Sequence, residues 1–450
     1  MARFAVIGAG IAGLSAAWQL EAEGHDVVVL ESDRDIGGKL RRSRVRGLAF
    51  PLDDGADAFL ARVPDALELC AELGIDDLVH PATGDAWVWV GDRLRPLPRS
   101  QLLGLPTDLD DMAASGLLSP GAITRAAADL DSDAAPLTDD VSVGHLVRSR
   151  LGDEVCDHLV EPLLGGINGG EADGLSVQAC APQIWACATR GGSLIRAAAE
   201  VKAAAAPGDA PVFAVPAEGM ASLPRQLADR LRAEIRFGAD VGPLAVTPAG
   251  VRVGDETFAG AIVASPADVA GKLVCEVTPD AADVLAATEY ASVVMVTVAA
   301  DAREVDHPLE GSGVVVARTS DLSITACSFG SSKWAHWDDG RHVVFRLSLG
   351  HDGDPVDWCG RSDADLTSVA VADLERVLGT PVPTLGARVG RWARSFPQYR
   401  PGHVDRVAGV RSALHDAAPI AIAGMSYDGI GVPSCIRSGR TAARHLLGRP

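Results

Sequence analysis

The chain has no apolar run long enough to cross a bilayer, no C-x-x-C pair and no cluster of histidines. The first absence argues against a transmembrane helix, and a strand starting at Arg3 leaves no room for a signal peptide ahead of it. Eight cysteines (70, 156, 180, 187, 275, 327, 359 and 435) stand singly, as expected of reduced thiols in a cytoplasmic protein without zinc or an iron–sulfur cluster. Cations are scarce: 40 Lys and Arg face 60 Asp and Glu, a formal charge of −20. That balance argues against nucleic acid or an anionic membrane as the main partner, with peripheral membrane contact through the helical lobe as the remaining option. An acidic substrate would need a locally basic pocket. Internal repeats and low-complexity tails are also missing, and the Ala-rich piece around Val201–Pro207 reads as a helix end and loop. No His, Cys or carboxylate pair stands out as an acid–base apparatus, so no side chain is nominated as catalytic.

What is present starts with Arg3–Asp33. An apolar run, Phe4–Ile7, reads as a buried parallel strand. Gly8, Gly10 and Gly13 follow in G-x-G-x-x-G spacing, with Ala9, Ile11 and Ala12 between them, and open a helix that Gly24 stops. Val27–Leu30 form a second strand ending at Glu31, with Ser32 next. Gly8 permits the turn, Gly10 lets backbone approach a pyrophosphate and Gly13 lets helix and strand pack closely. The helix N-terminus offers unpaired N–H groups to the phosphates, and Glu31 stands where an acceptor for ribose hydroxyls belongs. Strand, glycines, helix, strand and acid in register predict dinucleotide binding.

At 450 residues the chain should form two or three domains. Gly37 and Gly38 precede Lys39 and a basic cluster through Arg46, which suits a phosphate or a solvated hairpin. Gly55, Ala56, Asp57 and Ala58 are all short, as a strand edge against a flat ring requires. Ala86–Val90 and Arg93–Leu97 read as a hairpin turning at Gly91 and Asp92. From about 100 to 207 apolar positions recur at helical spacing, with Ser142 as an N-cap. Within this helical lobe Gly165, Gly166, Gly169 and Gly170 interrupt the helices, so a turn or a ligand must need the space. Strand signals return with Pro211–Val215, Ile235–Val241, Val251–Phe258 and Gly260–Pro266, and β-rich segments continue from 270 to 385. Near the end a short strand reaches Gly424. A loop with Gly429, Ile430 and Gly431 then leads into a helix opened by Val432 and Pro433. A second glycine-loop-to-helix junction suits an extended cofactor whose far end gains negative charge on reduction.

The motifs GAGIAGL, GGK, GADAF, EPLLGGINGG, GAIVASP, RWARSFPQYRPGH and SYDGIGVPSCIRSGRTAA, in this order, span nearly the whole chain. The pattern resembles the oxygen-dependent protoporphyrinogen oxidase family of FAD enzymes, in particular its coproporphyrinogen-oxidising branch in haem biosynthesis. The resemblance implies an α/β fold with a Rossmann-type FAD domain of the amine-oxidase kind, a sheet-based substrate domain and an inserted helical lobe. Their expected spans are 1–58, 208–268 and 386–450 for the FAD domain, 59–99 and 269–385 for the substrate domain, and 100–207 for the lobe.

Carried over motif by motif, Gly8–Gly13 with Glu31 and Ser32 would hold the ADP half. Gly38, Lys39 and Gly55–Ala58 would line the flavin, and Val241 would meet adenine through its backbone. Trp392 would lie near the ring system, with Gly424 and Ile430–Pro433 at its far end. For the substrate, Val315 and Phe329 would sandwich the macrocycle beside Gly169 and Gly170, and Arg62, Arg95 and Arg99 would be candidates for carboxylates. Two departures stand out: Ala86 occupies the position of an anchoring arginine in eukaryotic relatives, and Asn168 replaces an aromatic.

The implied reaction is loss of hydride from a porphyrinogen methylene bridge to flavin N5, three times over, with dioxygen as acceptor and hydrogen peroxide released. Protoporphyrinogen IX is the alternative substrate; an amine oxidase or desaturase, a porphyrin carrier and a nicotinamide dehydrogenase are more distant readings. A downstream ferrochelatase is a candidate partner, and the oligomeric state is not legible.

Overall fold

A computed structural model of the chain describes residues 1–204 and 211–448. The end of the Ala-rich piece and the boundary expected at 207/208 lie outside them.

Short runs of Val, Ile and Ala build a five-stranded parallel sheet in the order Glu234–Phe237, Asp26–Glu31, Arg3–Ile7, Gly260–Val263, Ile420–Ile422. Apart from the exposed edge strand Glu234–Phe237, its strands are largely apolar on both faces because helices cover both. On one side Ile11–Ala22 and Val432–Leu446 share a core with Val6, Val29 and Ile262. On the other, Leu273, Leu285 and Leu414 pack against Ile7, Val28 and Val263. The helices at 267–286 therefore belong with this sheet, although the second segment of the substrate domain was expected to begin at 269.

A mixed seven-stranded sheet runs in the order Thr384–Pro397, Tyr290–Asp301, His342–Leu349, Ile324–Phe329, Gly313–Val316, Trp87–Val90, Arg93–Pro96. The last two strands are the expected hairpin, with Val90 opposite Arg93 and both Gly91 and Asp92 at positive φ. One face of the sheet packs on Leu366, Leu374 and Val377 of the helix Asp363–Leu378. Because Thr384–Pro397 pairs with Tyr290–Asp301, residues 386–397 sit in this second sheet rather than with the nucleotide-binding segments.

Between 109 and 204 the chain is helical, around a core that includes Val147, Leu151, Leu159 and Ile184. Ser142 caps Val143–Leu151 by accepting the His145 N–H at 3.1 Å. The glycine quartet departs from expectation: Gly165 and Gly166 lie inside the helix Glu161–Asn168, and only Gly169, at φ 59°, ends it.

Candidate functional site

The glycine loop has the geometry its spacing predicts. Gly8 takes φ 109°, and a Cβ there would come within 2.6 Å of the Ala264 carbonyl oxygen. A Cβ at Gly13 would overlap the Gly8 carbonyl. Both glycines are sterically required. Gly10 differs: it has an ordinary φ of −72°, no side-chain cap, and, among the described residues, nothing within 4 Å of where its Cβ would stand. The open space lies at the N-terminus of Ile11–Ala22, where unpaired N–H groups favour an anion. Glu31 closes the loop from the side, its carboxylate accepting the Ala9 N–H at 2.6 Å and the Asp33 N–H at 2.9 Å, with Ser32 Oγ at 3.3 Å. Val241 follows the neighbouring strand, which is tied in where Ala239 N–H donates to the Glu31 carbonyl at 2.9 Å.

The glycine doublet is stitched to the same loop. Gly37 N–H donates to the Ala9 carbonyl at 2.9 Å, and a Cβ at Gly38 would stand 3.3 Å from Gly10 Cα. A Cβ at Gly55 would strike the Lys39 carbonyl and stand 3.5 Å from the Trp392 ring. Lys39 turns inward, its ammonium donating to the Ser395 carbonyl and lying 2.8 Å from Met425 Sδ. Burial draws its pKa down to about 8.

Met425 starts the C-terminal loop, beside Gly424 at φ 123°. Gly431 is the N-cap of Val432–Leu446, again without a side-chain cap and with Pro433 in the first turn. Halfway along this helix, a Cβ at Gly439 would overlap the Ala12 carbonyl. Two uncapped helix N-termini are thus held on neighbouring helices. The loop between, which carries Ile430, is clamped. Tyr399 O–H donates to the Met425 carbonyl and accepts the Gly429 N–H at 3.0 Å. Tyr399 also stacks on His403 at 3.9 Å, and a ring nitrogen of His403 meets the Tyr427 carbonyl at 3.0 Å. Arg411 grips Asp428 with bonds of 2.9 and 2.6 Å, and Asp428 accepts from Ser438. None of these clamp residues was predicted, though the flanking motifs contain Tyr399, His403, Asp428 and Ser438.

The loops, open Gly10 and paired helix ends therefore fit an extended dinucleotide cofactor. Next to Gly55, Ala56 and Asp57 lies a cavity of about 270 Å³. The seven-stranded sheet contributes Val293, Met295, Thr325, Ala326, Ser328, Arg346, Ser348 and Phe396; the helical lobe contributes Gly165, Gly166 and Gly169; Gly350 and Lys333 complete it. Ala58 lies off this lining and packs on the core of the five-stranded sheet.

At the cavity wall Asp57 meets two cations, Lys333 Nζ at 3.4 Å and Arg346 Nη1 at 3.5 Å, and accepts the Trp334 indole N–H at 3.1 Å. Burial alone would raise the Asp57 pKa, but Lys333 and Arg346 outweigh it and hold the carboxyl below its ordinary value.

Of the substrate residues expected from sequence, Gly169 lines the cavity. Gly170 is packed against Gln398 and Leu175 instead. Phe329 is 1% exposed and edge-on to Phe345, in the core behind the sheet. The pleat explains the difference: Ser328 faces the cavity, so its neighbour Phe329 faces away. Val315 packs against the helical core. Arg62 is exposed, Arg95 lies along Gly116, and Arg99 pairs with Asp85 at 2.7 Å in solvent. No one of the three lines the cavity.

Comparison with known proteins agrees with this geometry. The family model for flavin-containing amine oxidoreductases matches residues 11–447. Coproporphyrinogen III oxidase of Mycobacterium leprae is 35% identical, with 98% of this chain and 98% of that protein covered. The Bacillus subtilis coproporphyrinogen III oxidase is 31% identical over 98% and 97% of the two chains. A crystal structure of a protein from Exiguobacterium sp. 255-15 superposes with a TM-score of 0.88 at 29% identity, covering 100% of this chain and 99% of the other. The chain belongs to the flavin-containing amine oxidoreductase family, and its cofactor is FAD.

Proposed function

We propose that this chain oxidises coproporphyrinogen III to coproporphyrin III, with dioxygen as final acceptor and hydrogen peroxide as by-product. The observation that carries the reading is the shape of the cavity. One wall is backbone, at Gly165, Gly166 and Gly169, and the facing sheet offers small side chains at Ala326, Ser328 and Ser348. A slot of that form suits the edge of a flat macrocycle. Its volume of about 270 Å³ is below the roughly 300–1,000 Å³ common for whole ligands, so one edge enters and the rest lies at the mouth. The full-length relatives named coproporphyrinogen III oxidases support this substrate over an amine.

A bound flavin supplies the two-electron acceptor. Gly8–Gly13, Glu31, Ser32 and Val241 would hold the nucleotide half; Gly38, Lys39, Gly55, Ala56, Trp392, Gly424 and Ile430–Pro433 would hold the ring end. The chain's own contribution is then positioning and exclusion of water. Asp57, held ionised by two cations, is a weak base and fixes charge rather than collecting protons. Three rounds remove six hydrogens in all and convert three dioxygen molecules to three of hydrogen peroxide.

The product is a metal-free porphyrin, which makes a ferrochelatase the downstream partner this reading implies. Among the described residues no helix is long and apolar enough to cross a membrane.

Anaerobic titration of the flavoprotein with coproporphyrinogen III tests the proposal. Bleaching of the flavin, followed by porphyrin fluorescence once air is admitted, is expected. Stronger reduction by protoporphyrinogen IX would move the enzyme to that substrate, and a flavin that neither compound reduces would overturn the oxidase reading.

A further inference from the structure

The substrate proposed above carries four carboxylates, yet the arginines nominated for them lie outside the cavity. The cations that do line it are Lys333 and Arg346, and Asp57 is the one carboxylate among the lining residues. The cavity wall therefore carries one positive charge in excess, within a chain whose formal charge is −20. Asp53 and Asp54 lie off the lining: Asp53 interacts electrostatically with Arg346, but the carboxylate that Lys333 meets is Asp57 alone among the described residues. Asp53 accepts the Met220 and Ala221 N–H groups at 2.9 and 3.0 Å, and Asp54 accepts from Ser43.

The two cations are not equivalent. Arg346 is built into the scaffold: its Nη2 donates to the carbonyls of Gly55 at 2.6 Å and Asp54 at 3.1 Å, and its side chain is 5% exposed. Among the described residues Lys333 makes one side-chain polar contact, at 3.4 Å to an oxygen of Asp57 that Trp334 already satisfies at 3.1 Å. Its ammonium otherwise rests over the rings of Trp334 and Phe213, at 4.9 and 5.7 Å. A half-buried ammonium with donors to spare, in a cavity one negative charge short, is an unfinished ion pair.

We propose that Lys333 anchors a carboxylate of the porphyrinogen, one propionate completing the charge balance of Asp57, Lys333 and Arg346. The assignment rests on the functional reading above and names the residue that selects for an acidic side chain on the macrocycle. Arg346 sets the position of Asp57 and thereby of the lysine.

The test uses FAD-loaded enzyme, wild type against Lys333→Met and Lys333→Arg. Coproporphyrin III binding is followed by quenching of porphyrin fluorescence, and KM and kcat are measured with coproporphyrinogen III. Lys333→Met is expected to weaken porphyrin binding about tenfold or more and to raise KM in parallel, with kcat changed less than about threefold. Lys333→Arg should restore most of the binding, and the tetramethyl ester should bind wild type and Lys333→Met alike. Flavin absorbance reports folding, and Lys333→Gln replaces the Met variant if that one loses its cofactor. Equal affinity of the charged and uncharged variants for coproporphyrin III would overturn the anchor while leaving the oxidase reading in place. A wild-type flavoprotein that neither binds nor oxidises any porphyrinogen would overturn that reading and the anchor with it.

Discussion

Gly439 and Ala12 meet backbone to backbone: a single methyl group added at Gly439 would overlap the Ala12 carbonyl oxygen. The contact draws Val432–Leu446 onto Ile11–Ala22, so these two helices from opposite parts of the chain pack as one unit. In an isolated helix Gly→Ala gains about 1 kcal/mol, and here the overlap costs about 1–3 kcal/mol and separates the helices. Gly439→Ala should lower the thermal midpoint and the fraction of FAD retained through gel filtration. A midpoint equal to or above that of wild type would show that the helices can part at no cost.

Tyr399 holds the C-terminal loop by a hydrogen bond at each side, to the Met425 carbonyl and from the Gly429 N–H. Tyr399→Phe keeps the stacking on His403 but leaves both backbone groups, which are partly buried, without the hydroxyl partner. A loss of about 1–3 kcal/mol is expected, concentrated in the loop. Flavin affinity should fall more than secondary structure does. Cofactor titration alongside far-ultraviolet circular dichroism checks this, and unchanged affinity would assign the clamp to stability alone.

Much of the glycine-loop geometry is legible in sequence because its signals are local. Gly8, Gly13 and Glu31 announce themselves by spacing within one β–α–β unit, and Pro433 marks the start of a helix. The clamp of Tyr399, Arg411 and Asp428 gives no such signal, since its partners meet only after folding. Asp57 and Lys333 are likewise far apart in the chain, and no periodicity links them. Phe329 illustrates a finer limit. Its strand was readable, but a one-residue choice of pleat decides between cavity and core, and Ser328 took the cavity. The domain boundaries shifted for a related reason: the strand Thr384–Pro397 is long enough to carry Trp392 and Ser395 to Gly55 and Lys39 while pairing in the second sheet.

Lys39 ties pH to stability. Its folded pKa, drawn down by burial to about 8, lies below the ordinary 10.5. Between those values the unfolded chain binds more protons than the folded one, so this group makes stability rise with pH from about 8 to 10.5. The full shift corresponds to about 3 kcal/mol. Below pH 8 the penalty is constant. In the FAD-free protein, the stability difference between wild type and Lys39→Met should therefore narrow from pH 8 to 10 in favour of wild type, as read by urea denaturation. A difference that stays flat across that window would mean the ammonium is solvated when folded.

Gly166 separates fold from substrate space. It lies inside the helix Glu161–Asn168, where glycine costs about 1 kcal/mol relative to alanine. Among the described residues nothing stands within 4 Å of its missing Cβ, so no packing or backbone requirement explains it. What does lie before it is the cavity. Gly166→Ala should then stabilise the helix by about 0.5–1 kcal/mol with little effect on turnover. Gly166→Phe should retain flavin and thermal midpoint, since its side chain projects into open space, yet raise KM for the porphyrinogen about tenfold by filling the slot. Steady-state kinetics beside thermal melts distinguish the two effects. Normal kinetics in Gly166→Phe would place the macrocycle elsewhere and leave the helix glycine without a role in binding.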